Sequence, residues 1–178
     1  MTAHMASAPT DPPSVAIRSI HAMATGARLD FDDVIHREAV DRENKVQPPS
    51  SRVTGPAGFY STAQWLRAAF ADLHYDVHHA VADADVVVVN TTMNGRHVAP
   101  FVTYSEDGAV DTAFPPTGKT FAMAQTHWFR MKDGKVVEHW AVRDEMGTAK
   151  QLGWLPPKPL YAIRMTLATR RARRAACG

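Results

Sequence analysis

The sequence predicts an α+β fold built around a small-molecule pocket, and three observations carry that prediction. Helical spacing of apolar residues dominates up to about residue 71, and strand-like alternation dominates from Tyr75 onward. A tight-turn signal, Lys132-Asp133-Gly134-Lys135, joins the last two alternating runs. Helices first and an antiparallel sheet afterwards argue against interleaved βαβ units.

The elements follow in order. Ser14 to Ala24 forms an N-capped helix with Val15, Ile17, Ile20 and Met23 on its apolar face. Leu29 to His36 reads as a short second helix. Gln47 to Gly58, with three prolines and two glycines, breaks regular structure. The next helix runs from Phe59 to Ala71, with Trp65, Leu66, Ala69 and Phe70 near the helical period. Tyr75–Ala82 and Asp85–Asn94 are strands around a turn at Asp83-Ala84, and Val86 to Val89 is apolar enough for burial on both faces. Thr120–Met131 and Val136–Val142 form the hairpin. Asp144 caps a last helix that runs through Leu152.

The boundaries follow from composition. Residues 1–13 read as a flexible polar leader, 14–157 as one domain and 158–178 as a basic tail. Of the 20 lysines and arginines, six lie from Lys158 onward with no acid among them, leaving 14 against all 18 acids in the body. An acidic body argues against nucleic acid as a partner, because phosphate contacts need clustered cations. No apolar run approaches the roughly 20 residues of a membrane span. The single cysteine, Cys177, fits a reducing cytoplasm.

The long strand places Phe121, Met123, Gln125, His127, Phe129 and Met131 on one face. Two polar groups on an otherwise apolar face suit a pocket that orients a ligand. A two-residue turn would set His127 opposite Trp140. A three-residue turn with Gly134 left-handed sets it opposite His139, with Gln125 opposite Ala141, and the glycine favours this second register. His127 and His139 should then face the pocket, with Trp128 and Trp140 turned away.

At this point the residues are similar to a known family. The stretch from Gly55 to His97, PPTGK at 115–119, the hairpin around Asp133-Gly134-Lys135 with Glu138-His139-Trp140, and the closing D-x-x-G-x-x-x-Q-L-G at 144–153 resemble the SnoaL-like polyketide cyclases. These are also called ester cyclases and belong to the nuclear-transport-factor-2-like superfamily. The resemblance covers roughly residues 15 to 154. It implies a cone of strongly curved mixed sheet and packed helices, an internal pocket and a homodimer or higher oligomer. It places the family's pocket residues on Asp41, Gln125, His127 and His139. It places the cyclases' acid/base aspartate on Ala141, which cannot move a proton.

The expected catalytic residues are therefore His127, Asp41 and His139, with Asp41 and His127 as the acid/base pair. Gln125, Phe121, Met123, Phe129, Ala141 and Trp65 are the expected substrate-binding residues. The function expected is a cofactor-independent enzyme of polyketide-like secondary metabolism acting on a hydrophobic carbonyl substrate: a cyclase, isomerase or hydroxylase. The alternatives are a non-catalytic carrier of a hydrophobic metabolite or a ketosteroid-isomerase-like enzyme. No metal is expected: His74, Asp76 and His78 alternate on one strand face, but polar residues on a solvent face are commoner than a zinc site. Residues 96–114 read as a surface insertion turning at Glu106-Asp107-Gly108, and no packing is expected beyond about Leu160.

Overall fold

A computed structural model describes residues 11–176; most of the expected leader and Cys177 lie outside them. The first helix, α1 (Pro12–Thr25), starts earlier than the sequence suggests. Asp11 is its cap, accepting hydrogen bonds from Ser14 N–H at 3.2 Å and Ser14 Oγ–H at 2.7 Å. The helix α2 (Arg28–Val34) then leads straight into a strand that the sequence reading missed, β1 (Ile35–Asp41). Its alternation is hidden by charged residues on the outer face.

Next come α3 (Pro56–Ala69) and two long strands, β2 (Phe70–Asp83) and β3 (Val86–His97). Arg67 on α3 donates to the carbonyls of Met23, Gly26 and Ala22, placing a cation on the exposed C-terminal dipole of α1. Along β3 burial alternates instead of being complete on both faces: Val87 and Val89 are sealed, while Val86 and Val88 are half-buried.

Residues 96–114 fold into their own hairpin, β4 (Phe101–Tyr104) and β5 (Val110–Phe114). The final pair, β6 (Thr120–Lys132) and β7 (Lys135–Arg143), precedes α4 (Glu145–Leu152), which Asp144 caps as expected through a 2.8 Å bond from Gly147 N–H. The main sheet has the order β1-β7-β6-β3-β2, with β1 parallel to β7 and every other pair antiparallel. This mixed sheet with packed helices is the architecture expected. Helices α1, α2 and α3 cover one face of it through Val15, Ile20, Phe31 and Phe59.

The β6–β7 register corrects the turn argument in an instructive way. Lys132 pairs with Lys135, so the turn has two residues, Asp133 and Gly134, both at positive φ (51° and 72°). That register alone would bring Trp140 beside His127. A bulge intervenes: Met131 pairs with Val136 but Arg130 with Glu138, leaving Val137 over. The slip restores the parity, so His127 lies opposite Ala141 and Phe129 opposite His139. The two histidines face inward as expected, but neither the three-residue turn nor the direct His127–His139 pairing occurs. Trp128 and Trp140 stack on the outer face at 6.0 Å.

The C-terminal segment is also unlike the expectation. It forms α5 (Pro159–Ala176), packed along β5. Tyr161 O–H donates to Pro115 O at 3.0 Å, Ala113 N–H donates to Thr169 Oγ1 at 2.9 Å, and Arg173 donates to the carbonyls of Val110 and Asp111 at 3.0 and 2.9 Å. The outer edge of β5 needs hydrogen-bond partners, and the helix side chains supply them. Its inward positions (161, 165, 168, 169, 172) follow helical spacing, which the dense arginines obscure in the sequence. No helix among the described residues is long and apolar enough to cross a membrane.

Candidate active site

The curved sheet and the helices enclose a cavity of about 770 Å³. Its polar end is built on three neighbouring strands. The parallel pairing of β1 and β7 sets Asp41 opposite His139, and the inward face of β6 presents Gln125 and His127 beside them. Four side chains then touch in series. Asp41 Oδ1 lies 3.0 Å from His139 Nδ1, His139 Nε2 lies 3.0 Å from His127 Nδ1, and His127 Nε2 lies 2.7 Å from Gln125 Oε1. Gln125 Nε2 points at the sulfurs of Met93 and Met123, at 3.3 and 3.1 Å. The sequence names Asp41 and His127 as the acid/base pair; in the structure His139 stands between them.

The wiring fixes who donates. With its amide nitrogen on two sulfur acceptors, Gln125 offers an oxygen to His127, so His127 Nε2 carries a proton. His127 Nδ1 is then an acceptor and receives N–H from His139 Nε2, while His139 Nδ1–H donates to Asp41. In this arrangement His139 donates from both ring nitrogens, between a carboxylate and a neutral His127.

The electrostatics agree. Burial, then the charges of His139 and Arg143, hold the pKa of His127 well below 6.5. Burial pushes the Asp41 carboxyl up, but the hydrogen bond and charge of His139, the Glu43 N–H and the Arg143 charge outweigh it and hold it below 3.8. Arg143 is itself held by Glu43 at 2.9 Å.

The opposite end of the cavity is aromatic. Trp154 stacks on Phe114 at 4.3 Å and on Phe101 at 5.6 Å, and Phe101 also meets Trp65 at 4.6 Å and Phe70 at 5.2 Å. Trp65 N–H donates to Val102 O at 2.8 Å, so the indole of α3 fixes the hairpin as well as lining the cavity. Residues 96–114 are therefore a wall of the cavity, where the sequence reading had a surface insertion. Arg52 anchors the hairpin tip through the carbonyls of Ser105 and Glu106, at 2.7 and 2.6 Å.

Of the residues singled out from sequence, His127, Asp41, His139, Gln125, Phe121, Met123, Phe129 and Trp65 all line the cavity. Ala141 does not: it lies on the inward face opposite His127 but outside the cavity lining. The strand triplet is tied to its neighbours, with His78 on Thr92 Oγ1 (2.8 Å), Asp76 accepting from Asn94 (2.8 Å) and His74 on Asp72 O (2.9 Å). The same alternation, read from its other face, points to Tyr75, which the sequence reading passed over. Phe101, Phe114, Arg143 and Trp154 were missed as well.

The chain is similar to several known proteins. The family described as SnoaL-like polyketide cyclase matches residues 14–152. The chain is 30% identical to aklanonic acid methyl ester cyclase DnrD of Streptomyces peucetius over 143 residues, which cover 80% of this chain and 90% of that protein. It is 29% identical to nogalonic acid methyl ester cyclase of Streptomyces nogalater over 135 residues, covering 75% and 91%. Among solved structures, TsrD from Streptomyces laurentii superposes with a TM-score of 0.64 at 23% identity, covering 79% of this chain and 93% of that one. This last likeness concerns the fold.

Proposed function

The chain belongs to the SnoaL-like polyketide cyclase family, and from that premise we propose that it closes a ring on the methyl ester of a polycyclic polyketide acid by acid/base chemistry at His127. The observation that supports this reading best is the unbroken series Asp41, His139, His127, Gln125 on the wall of an otherwise apolar cavity.

The reaction is an internal aldol addition, which needs one proton removed beside a carbonyl and one returned to the new alkoxide. His127 Nε2 is the exchanging atom. With one proton fewer than the wiring described above, His127 carries its proton on Nδ1, shared toward His139 Nε2, and the Gln125 oxygen, no longer offered an N–H, yields its place at the Nε2 lone pair to the substrate C–H. Taking the substrate's α-proton at Nε2 moves the shared proton to His139, and the arrangement drawn above results. Delivery of the Nε2 proton to the alkoxide reverses the shift. Each cycle forms one C–C bond and leaves no net proton change. Asp41 orients His139 and balances its charge, as an orienting carboxylate does for a catalytic imidazole. The histidine pair thereby takes over the proton transfer that the family resemblance assigns to an aspartate at the Ala141 position.

We further assign the active form as a homodimer acting in the cytoplasm. The stacked Trp128–Trp140 pair with the exposed Val142 on the outer sheet face supports the dimer, and sedimentation at micromolar concentration checks it. The function is tested by incubating the protein with aklanonic and nogalonic acid methyl esters and analysing products. A cyclised isomer of unchanged mass is expected. Tight binding of both esters with full recovery of unaltered ligand would favour the carrier reading.

A further inference from the structure

Ring closure creates negative charge twice, on the enolate oxygen and on the new alkoxide, and a proton relay at His127 answers only the second. A donor aimed at the enolate oxygen would supply the rest, because fixed hydrogen bonds at developing charge are among the largest catalytic terms.

We infer that the Tyr75 hydroxyl is the hydrogen-bond donor that holds the enolate oxygen during ring closure. Tyr75 lies on the inward face of β2, buried and part of the cavity lining. Its ring is packed in the apolar core, yet its hydroxyl has no hydrogen-bond partner among the described residues. Buried tyrosines usually find one. Nor is the oxygen sealed: the closed-off unpartnered side-chain atoms are Arg18 Nε, Thr91 Oγ1, His97 Nε2 and Trp154 Nε1, and Tyr75 is not among them. A buried phenol that lines the cavity is satisfied by what the cavity holds.

The register puts the phenol near the relay. Tyr75 pairs with Met93 and Met93 with Met123 across three strands, and these two methionines are the ones that receive the Gln125 amide. Burial also pushes the Tyr75 pKa up to about 12, so it stays a neutral O–H that donates and does not itself titrate. A base at His127 and a donor at Tyr75 thus approach one substrate carbonyl, with the α-proton passing to Nε2 and the electron pair moving onto the oxygen that Tyr75 holds.

This rests on the cyclase reading, and two measurements on the full chain separate the two. Tyr75→Phe removes one oxygen and no ring. On the methyl esters it should lower kcat roughly 10² to 10³-fold, the usual effect of one such donor, with KM changed less than about threefold and Tm unchanged. Substituted naphthols serve as enolate analogues, read by tryptophan fluorescence. Affinity for the wild-type protein should rise with naphthol acidity, since a charge-assisted bond strengthens, and Tyr75→Phe should flatten that slope. A variant that keeps kcat within threefold, or keeps the slope, overturns the assignment. If the wild type turns over neither ester but shows a Tyr75-dependent slope, the cyclase reading fails and the donor stands. No slope in the wild type overturns the donor.

Discussion

At one end of the cavity four polar side chains from three adjacent strands touch in series within 3.0 Å. At the other, aromatic rings from separate segments of chain pack face against face, and a helix outside the family's matched range braces their hairpin. Regular pairing builds the first end, because strand register fixes where each side chain points and hydrogen bonds set the spacing to tenths of an ångström. Shape builds the second, where apolar contact tolerates small displacements and selects ligands by size and flatness. A fold can therefore keep its chemistry at the rigid end while its selectivity varies at the adaptable one.

The largest effect expected falls at the polar end. His127→Ala should lower turnover on the methyl ester roughly 10² to 10⁴-fold, the range for a general acid or base. A loss of less than tenfold would move the proton transfer elsewhere and remove the contrast between the two ends. A second break is aimed at the aromatic end. Ending the chain after Pro157 removes α5 and its bonds to the edge of β5. Five side-chain hydrogen bonds to β5 and the two prolines after it, offset by the entropy of ordering the helix, amount to about 2 kcal/mol. Calorimetry should show Tm lower by roughly 4 to 8 °C. The ring nitrogen NMR signals of His127 and His139 should stay in place. An unchanged Tm would return the segment to the unpacked tail that its arginines suggest.

The contrast also explains what could be read from sequence. The polar end was legible because alternation along β6 names a face by counting, and the motif around Glu138-His139-Trp140 names the partner strand. Asp41 was legible only through resemblance, since the charged residues of β1 hide a strand whose parallel pairing brings Asp41 to His139. The aromatic end was not legible. Phe101, Phe114 and Trp154 come together through a hairpin and a loop whose destination no local periodicity records. Tyr75 is hidden differently: His74, Asp76 and His78 mark the polar face of β2, and the residue that lines the cavity is on the other one.

Acid should separate the ends less strongly. His127 has its folded pKa depressed, so below about 6.5 the unfolded chain takes up a proton that the folded one refuses. Stability is then complete above 6.5 and declines as pH falls through that window. Asp41, held below 3.8, contributes above its unfolded value and loses that contribution only in stronger acid. Tm of the wild type should therefore drop between pH 7 and 5, and His127→Phe should drop less over the same range. Equal slopes would mean that the buried imidazole is not what the acid attacks.

The smallest effect tests how the polar end gets its register. If the turn sets the histidine face, disturbing the turn should disturb the relay; if the bulge at Val137 sets it, the relay should be indifferent. Gly134 stands at φ 72° with open space where a Cβ would go, so Gly134→Ala strains the backbone without a clash. A non-glycine residue in that region costs about 1 to 2 kcal/mol, part of it returned because alanine restricts the unfolded chain. The net loss of about 1 kcal/mol corresponds to roughly 2 to 4 °C in Tm. Turnover and the histidine NMR signals should not move, because the Arg130–Glu138 pairing beyond the bulge is untouched. A shifted His127 signal in this variant would show that the turn, six residues and therefore about 20 Å of strand away at the usual rise of about 3.3 Å per residue, still dictates which face the histidines occupy.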